Sequence, residues 1–181
     1  MKRIIFLCLL IIVVTSCFSE TKNPPIDKNL FIEYNNNKVI LGYSDIDEVQ
    51  KKLGIPEKSE DTNVSVEGFD WGKIKTLHYF KDKLILVFSE TNNRLIQISF
   101  VPTENDTYRS FFNITNTTKK SSFLSYILKK KYEIIQPANS QVVWITYYTQ
   151  NIPMFDVNCA IKFDDTGRIS LIKYFFSAPW E

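Results

Sequence analysis

The chain has 181 residues, 44% of them hydrophobic and 23% charged, which is room for one domain or two small repeats around a real core. Its 22 Lys and Arg stand against 20 Asp and Glu, a balance that gives no clustered basic face for nucleic acid. Its one histidine excludes a metal centre built on several imidazoles, and 14 Phe and 9 Tyr against 5 Gly favour strands.

Lys2 and Arg3 open the chain, Ile4 to Val14 is an unbroken apolar run, and Val14-Thr15-Ser16 leads into Cys17. The run is shorter than the roughly 20 residues of a membrane crossing. A basic start, an apolar stretch and a small-residue end instead predict a secretory signal over residues 1–16. The cysteine after it resembles a bacterial lipobox, so Cys17 is the expected lipidation site; an ordinary signal peptide with an incidental cysteine is the alternative. Loss of Lys2 and Arg3 leaves a mature chain close to neutral. Phe18 to Lys28 is polar and contains Pro24-Pro25, which reads as a tether over residues 17–28.

From Asn29 to Leu41, two apolar runs flank Asn35-Asn36-Asn37, the pattern of a hairpin. Ser44 is the expected N-cap of a helix with Ile46, Val49, Gln50 and Leu53 on one stripe, Gly54 just past its end and Pro56 as the stop. Glu57 to Gly72 reads as a polar loop, with Val64 and Val66 as a short edge strand. Three apolar runs follow, Ile74 to Phe80, Leu84 to Phe88 and Leu95 to Phe100, spaced as hairpins.

Pro102 to Thr118 reads as a linker carrying one short strand. Ser121 or Ser122 is expected to cap a second helix, Phe123 to Lys131, with Phe123, Leu124, Ile127 and Leu128 inward. Val142 to Tyr148, Asn158 to Phe163 and Ile169 to Phe176 are three more strands, the last two joined through Asp164-Asp165-Thr166-Gly167. Leu53, Trp71, Phe88 and Arg94 recur as Leu128, Trp144, Phe163 and Arg168 at an offset of about 73 to 75 residues, the sign of an internal repeat. The expected class is therefore α+β, with two helix-plus-antiparallel-sheet units in tandem and the helices packed on one face of the sheet. The units span residues 29–102 and 103–181.

Gly42-Tyr43-Ser44, Val49, Leu53 and Gly54-Ile55-Pro56 resemble the opening of SmpA/BamE-type envelope lipoproteins. In that family a capped helix ended by Gly-x-Pro introduces an antiparallel sheet, and tandem copies of the unit are similar to the beta-lactamase inhibitor protein fold. The resemblance implies a protein that binds other proteins and lacks catalysis.

The residues read by themselves point the same way. Cys8 leaves with the signal and Cys17 carries lipid, so Cys159 has no disulfide partner and is expected as a small buried hydrophobe. His78 lies between Leu77 and Tyr79 in an apolar run, a strand position rather than a catalytic base. Asp164 and Asp165 belong first to a turn, and the ligands of a calcium loop are missing. No phosphate loop or nucleophile elbow occurs. No catalytic residue, metal or cofactor is expected.

Trp71 in the Gly-flanked GFDWG stretch, with Tyr147 and Tyr148, are the candidate binding residues, because Trp and Tyr anchor interfaces. Trp144 is expected in the core, and Trp180 in either place. The expected function is a non-catalytic protein-binding lipoprotein of the bacterial cell envelope, held in the membrane, most simply the outer membrane, through Cys17. It would act in envelope assembly or as an inhibitor-like binder. A binder of lipid or another apolar small ligand is one alternative, and a small hydrolase using His78 is another.

Overall fold

A computed structural model describes residues 30–66, 69–129, 133–135, 140–148 and 156–176. The expected signal, Cys17 and the tether lie outside the described residues, as does Trp180. The chain is mostly β, with two short helices and two antiparallel sheets.

The strands β1 (Phe31–Tyr34) and β2 (Asn37–Ile40) form the expected hairpin. Asn35 and Asn36 stand at φ 49° and 63°, the two positive values that a two-residue type I′ turn requires and that Asn tolerates. Helix α1 (Ile46–Leu53) follows. Its cap is Asp45, not Ser44: an Asp45 carboxylate oxygen accepts from Glu48 N–H at 2.8 Å. Ser44 is buried one residue earlier, where its Oγ accepts from Ile40 N–H at 3.1 Å and closes the turn after β2. Gly54 ends the helix as expected, at φ 84°, with its N–H on the Gln50 carbonyl.

The segment after Pro56 is a strand and not a loop. The nine-residue β3 (Lys58–Val66) pairs along β4 (Phe69–Tyr79), and its polar sequence suits an edge that faces water. Strands β5 (Leu84–Ser89) and β6 (Arg94–Phe100) complete the meander. The short β7 (Tyr108–Ser110) joins β1, so the smaller sheet, β2-β1-β7, draws on residues either side of position 102.

Helix α2 (Lys120–Lys129) begins before the serines expected to cap it, pinned by Lys120 N–H on the Gly167 carbonyl. Phe123 and Ile127, four apart, hold its inward face, which turns Leu128 outward, 66% exposed. Then come β8 (Glu133–Ile135), unassigned from the sequence, and β9 (Val142–Tyr148), β10 (Asp156–Phe163) and β11 (Ile169–Phe176).

The larger sheet runs β3-β4-β5-β6-β11-β10-β9-β8, seven strands of six residues or more with the three-residue β8 at one edge. One of its faces is the core. Leu77, Leu86, Ile98, Tyr174, Cys159 and Ile145 form one buried row across six strands. Over it lie the small sheet and helix α2. Tyr34 and Tyr108 pack on Phe100, Phe123 on Phe163, and Phe112 on Tyr174, with ring centroids 5.1 to 6.3 Å apart. Helix α1 buries Val49, and the Tyr79 hydroxyl donates to its Gly54 carbonyl.

Candidate functional site

The other face of the larger sheet carries none of these packing layers. Alternation along the strands sends Thr76 and His78, Ile85 and Val87, Gln97 and Ser99, Lys173 and Phe175, Asn158 and Ala160, and Trp144 to this side. Most are half-buried or exposed, and Ile85, Leu171 and Phe175 are large apolar side chains that do not pack on the core cluster. Ladder partners place Trp144, Ala160, Lys173, Ser99, Ile85, His78 and Lys58 in one row across seven strands.

At the β9–β11 end of that row Trp144 is 39% exposed, and its ring meets Phe175 edge-on at 6.3 Å over the small Ala160. Lys173 Nζ lies 5.1 Å from the Phe175 ring centroid, a cation–π contact that keeps the ammonium on the sheet. Trp144 therefore belongs to the open face and not to the core. The sequence hid this because Val143 and Ile145, its neighbours, are both buried. In a run apolar on both parities, alternation does not say which parity faces water.

The binding residues expected from the sequence sit differently. Trp71 is a position of strand β4 and not of a loop. Val64 pairs with Gly72 and Ser65 with Asp70, which leaves Trp71 as the extra residue of a bulge beside Gly72 at φ 63°. Tyr147 and Tyr148 are positions of β9, opposite Val157 and Asp156. The side chains of Trp71, Tyr147 and Tyr148 lie outside the described set.

His78 stands at the other end of the open face, among charges. Its Nδ1 is 2.6 Å from Asp82 Oδ1, and Nε2 is buried 3.7 Å from Glu60 Oε2. Glu60 is also paired to Lys58, and the hydrogen bond from that ammonium is the first reason its carboxyl is held below the usual range. A histidine–carboxylate pair can move a proton. Among the described residues, however, no hydroxyl or thiol is bonded to the ring, so no nucleophile is aligned with it.

The densest buried polar cluster is Asp106. Its carboxylate accepts from Lys83 Nζ at 2.8 Å, Tyr34 hydroxyl at 3.1 Å, and Thr103 N–H and Oγ1 at 2.6 and 2.8 Å. Burial would raise its pKa, but the Lys83 ammonium and the Thr103 and Tyr34 donors outweigh that and hold it below the ordinary value. With four donors satisfied inside the fold, Asp106 is a tie between the small sheet and β5. Cys159 is fully buried, as expected, and burial pushes its thiol far up, out of reach of thiolate chemistry.

Among the described residues no three His, Cys, Asp or Glu side chains gather as a metal site, and no helix is long and apolar enough to cross a membrane. A concavity of about 280 Å³ lies beside α2, lined by Phe112, Phe123 and Tyr126 with Asn113, Thr117, Thr118 and Ser122. It falls just under the ~300–1,000 Å³ of small-molecule sites. Comparison with protein-family models, with curated proteins and with solved structures finds no match to this chain.

Proposed function

We propose that this chain is a bacterial envelope lipoprotein, anchored through Cys17, that binds another protein on the open face of its larger sheet and catalyses no reaction. The observation that carries the reading is the Trp144–Phe175 pair, half-exposed aromatic area on a rigid sheet face that nothing in the described fold covers. Interfaces concentrate their energy in such aromatic anchors ringed by polar side chains. Gln97, Ser99 and Asn158 supply polar side chains beside the pair here.

The element order also favours two tandem units. A helix precedes four antiparallel strands twice, α1 with β3 to β6 and α2 with β8 to β11, and the two sets meet at β6 and β11. That order is the one implied by the resemblance to SmpA/BamE-type lipoproteins and the beta-lactamase inhibitor protein fold, whose members bind proteins. The test is site-specific photo-crosslinking in intact cells. Benzoylphenylalanine in place of Ile85 or Leu171 should give a defined protein adduct, and the same group in place of Lys51, exposed on α1, should not. Adducts from Lys51 alone would sink the reading.

A further inference from the structure

The concavity beside α2 belongs to the layer that covers the core face, so it lies on the side of the larger sheet away from Trp144. Its floor is a pair of rings, Phe112 and Phe123, buried and 6.1 Å apart in an edge-to-face contact. Both are fixed from below, Phe112 by Tyr174 and Phe123 by Phe163. One wall is the first half of α2, where Ser122 and Tyr126 stand four residues apart and so on one face of the helix. Tyr126 is 37% exposed.

The other wall is the stretch from Asn113 to Thr118, which is bonded to itself and to β7. Ser110 N–H donates to the Ile114 carbonyl at 3.1 Å, and Thr115 N–H donates to Thr118 Oγ1 at 3.0 Å. The Tyr108 hydroxyl donates to the Thr115 carbonyl at 3.1 Å. The walls are therefore in place before a ligand arrives, which spares the entropy of ordering a loop around it.

The chemistry of the lining narrows what fits. Five of its seven residues carry a neutral hydroxyl or amide, and none is charged. A phosphate, carboxylate or amine finds no counter-charge in this lining. An acyl chain laid over it would cut the Asn113 amide and the Ser122 and Tyr126 hydroxyls off from water, and none of these is bonded to another described residue. A sugar ring suits both parts, with an apolar C–H face for the aromatic rings and hydroxyls for the rim. The volume of about 280 Å³ is small for a whole ligand but has room for one ring of a longer chain that continues into solvent.

We propose that this concavity is a sugar site that takes one uncharged pyranose residue of a glycan. Tyr126 covers the C–H face, and Asn113 and Ser122 pair with the hydroxyls. The site is separate from the open face and does not depend on a protein partner there.

The test uses the full-length chain in a detergent without sugar head groups, with saturation-transfer NMR as the readout. The probes are two soluble neutral trisaccharides, chitotriose for N-acetylated glycans and maltotriose for plain hexoses. Saturation should reach the ring C–H protons of one or both, with a Kd on the order of 1 mM, and the preferred probe identifies the source. Tyr126→Ala should weaken that binding about tenfold or more, while Tyr126→Phe, which keeps the ring, should stay within about threefold. Asn113 stands at φ 57°, a value glycine adopts freely, so Asn113→Gly removes the amide without backbone strain and should weaken binding about three- to tenfold. Thermal melts establish that each variant is folded.

No transfer to either trisaccharide overturns the proposal, as does transfer to the detergent tail alone. Binding that survives both Tyr126→Ala and Asn113→Gly also overturns it. Sugar binding lost in Trp144→Ala but not in Tyr126→Ala would move the sugar to the open face and remove this site. In the first three cases the reading of the open face as a protein-binding surface stands untouched.

Discussion

Replacing Asp106 should separate the small sheet from the large one energetically. The residue is 7% exposed, and its four donors come from β1, from Lys83 in the turn just before β5 and from the 101–107 connection. Asp106→Ala leaves the Lys83 ammonium, 22% exposed, without its carboxylate and orphans three further donors. Breaking a buried pair by removing one member costs about 3–5 kcal/mol. Asp106→Asn keeps the shape and loses the charge, and should cost about 1.5–3 kcal/mol, the worth of hydrogen bonds to a charged group. Because the folded pKa lies below the unfolded value near 3.8, the carboxylate's contribution is complete above that value. It fades as pH falls through the depressed folded value. Urea melts at pH 7 and across the acid range measure both effects. A wild type and an Asp106→Ala variant of equal midpoint at pH 7 would refute the account of how the two sheets are joined.

Four further outcomes are expected. Phe80, Lys81 and Asp82 stand in succession at φ 58°, 56° and 63°, so Lys81→Gly should gain about 0.5–1 kcal/mol in a thermal melt by removing a left-handed strain that glycine does not feel; a loss would show the turn is not as described. Trp144→Ala should leave the melting temperature nearly unchanged while weakening partner capture by about 2 kcal/mol, and a large fall in stability would return Trp144 to the core. Cys159 should resist alkylation in the native protein and react only on unfolding, so rapid native labelling would contradict its burial. Cys17→Ser should shift the protein out of the membrane fraction or leave uncleaved precursor, because acyl chains contribute about 0.8 kcal/mol per buried CH₂; unchanged fractionation would remove the lipid anchor.

Local chemistry made much of the chain legible. Asn-Asn at positive φ closes the first hairpin, Gly54 stops α1, and Asp164 to Gly167 turns β10 into β11 through the Asp164 side chain on Thr166 and Arg168 N–H. The apolar runs marked β4, β5, β6, β9, β10 and β11, because six strands buried on one face must repeat large apolar residues. Each of these decisions is made within a few residues, by a dihedral preference, a cap or a burial period, and so it is written in the sequence.

The tertiary structure decided the rest. β3 reads as a polar loop because an edge strand needs no apolar parity, only the neighbour that β4 supplies. Asp45 displaced Ser44 as the cap because the turn after β2 claims the Ser44 hydroxyl for Ile40 N–H. Above all, the sequence gives Trp144, Phe175 and Lys173 no common address. They lie on two strands that are not neighbours, β9 and β11, with β10 between them, and only the pairing of both on β10 brings the rings to 6.3 Å. Which parity of an apolar strand faces water depends on what packs on the other side. In this chain the small sheet and α2 settle that choice by covering one face of the larger sheet, and the candidate site is the face they leave.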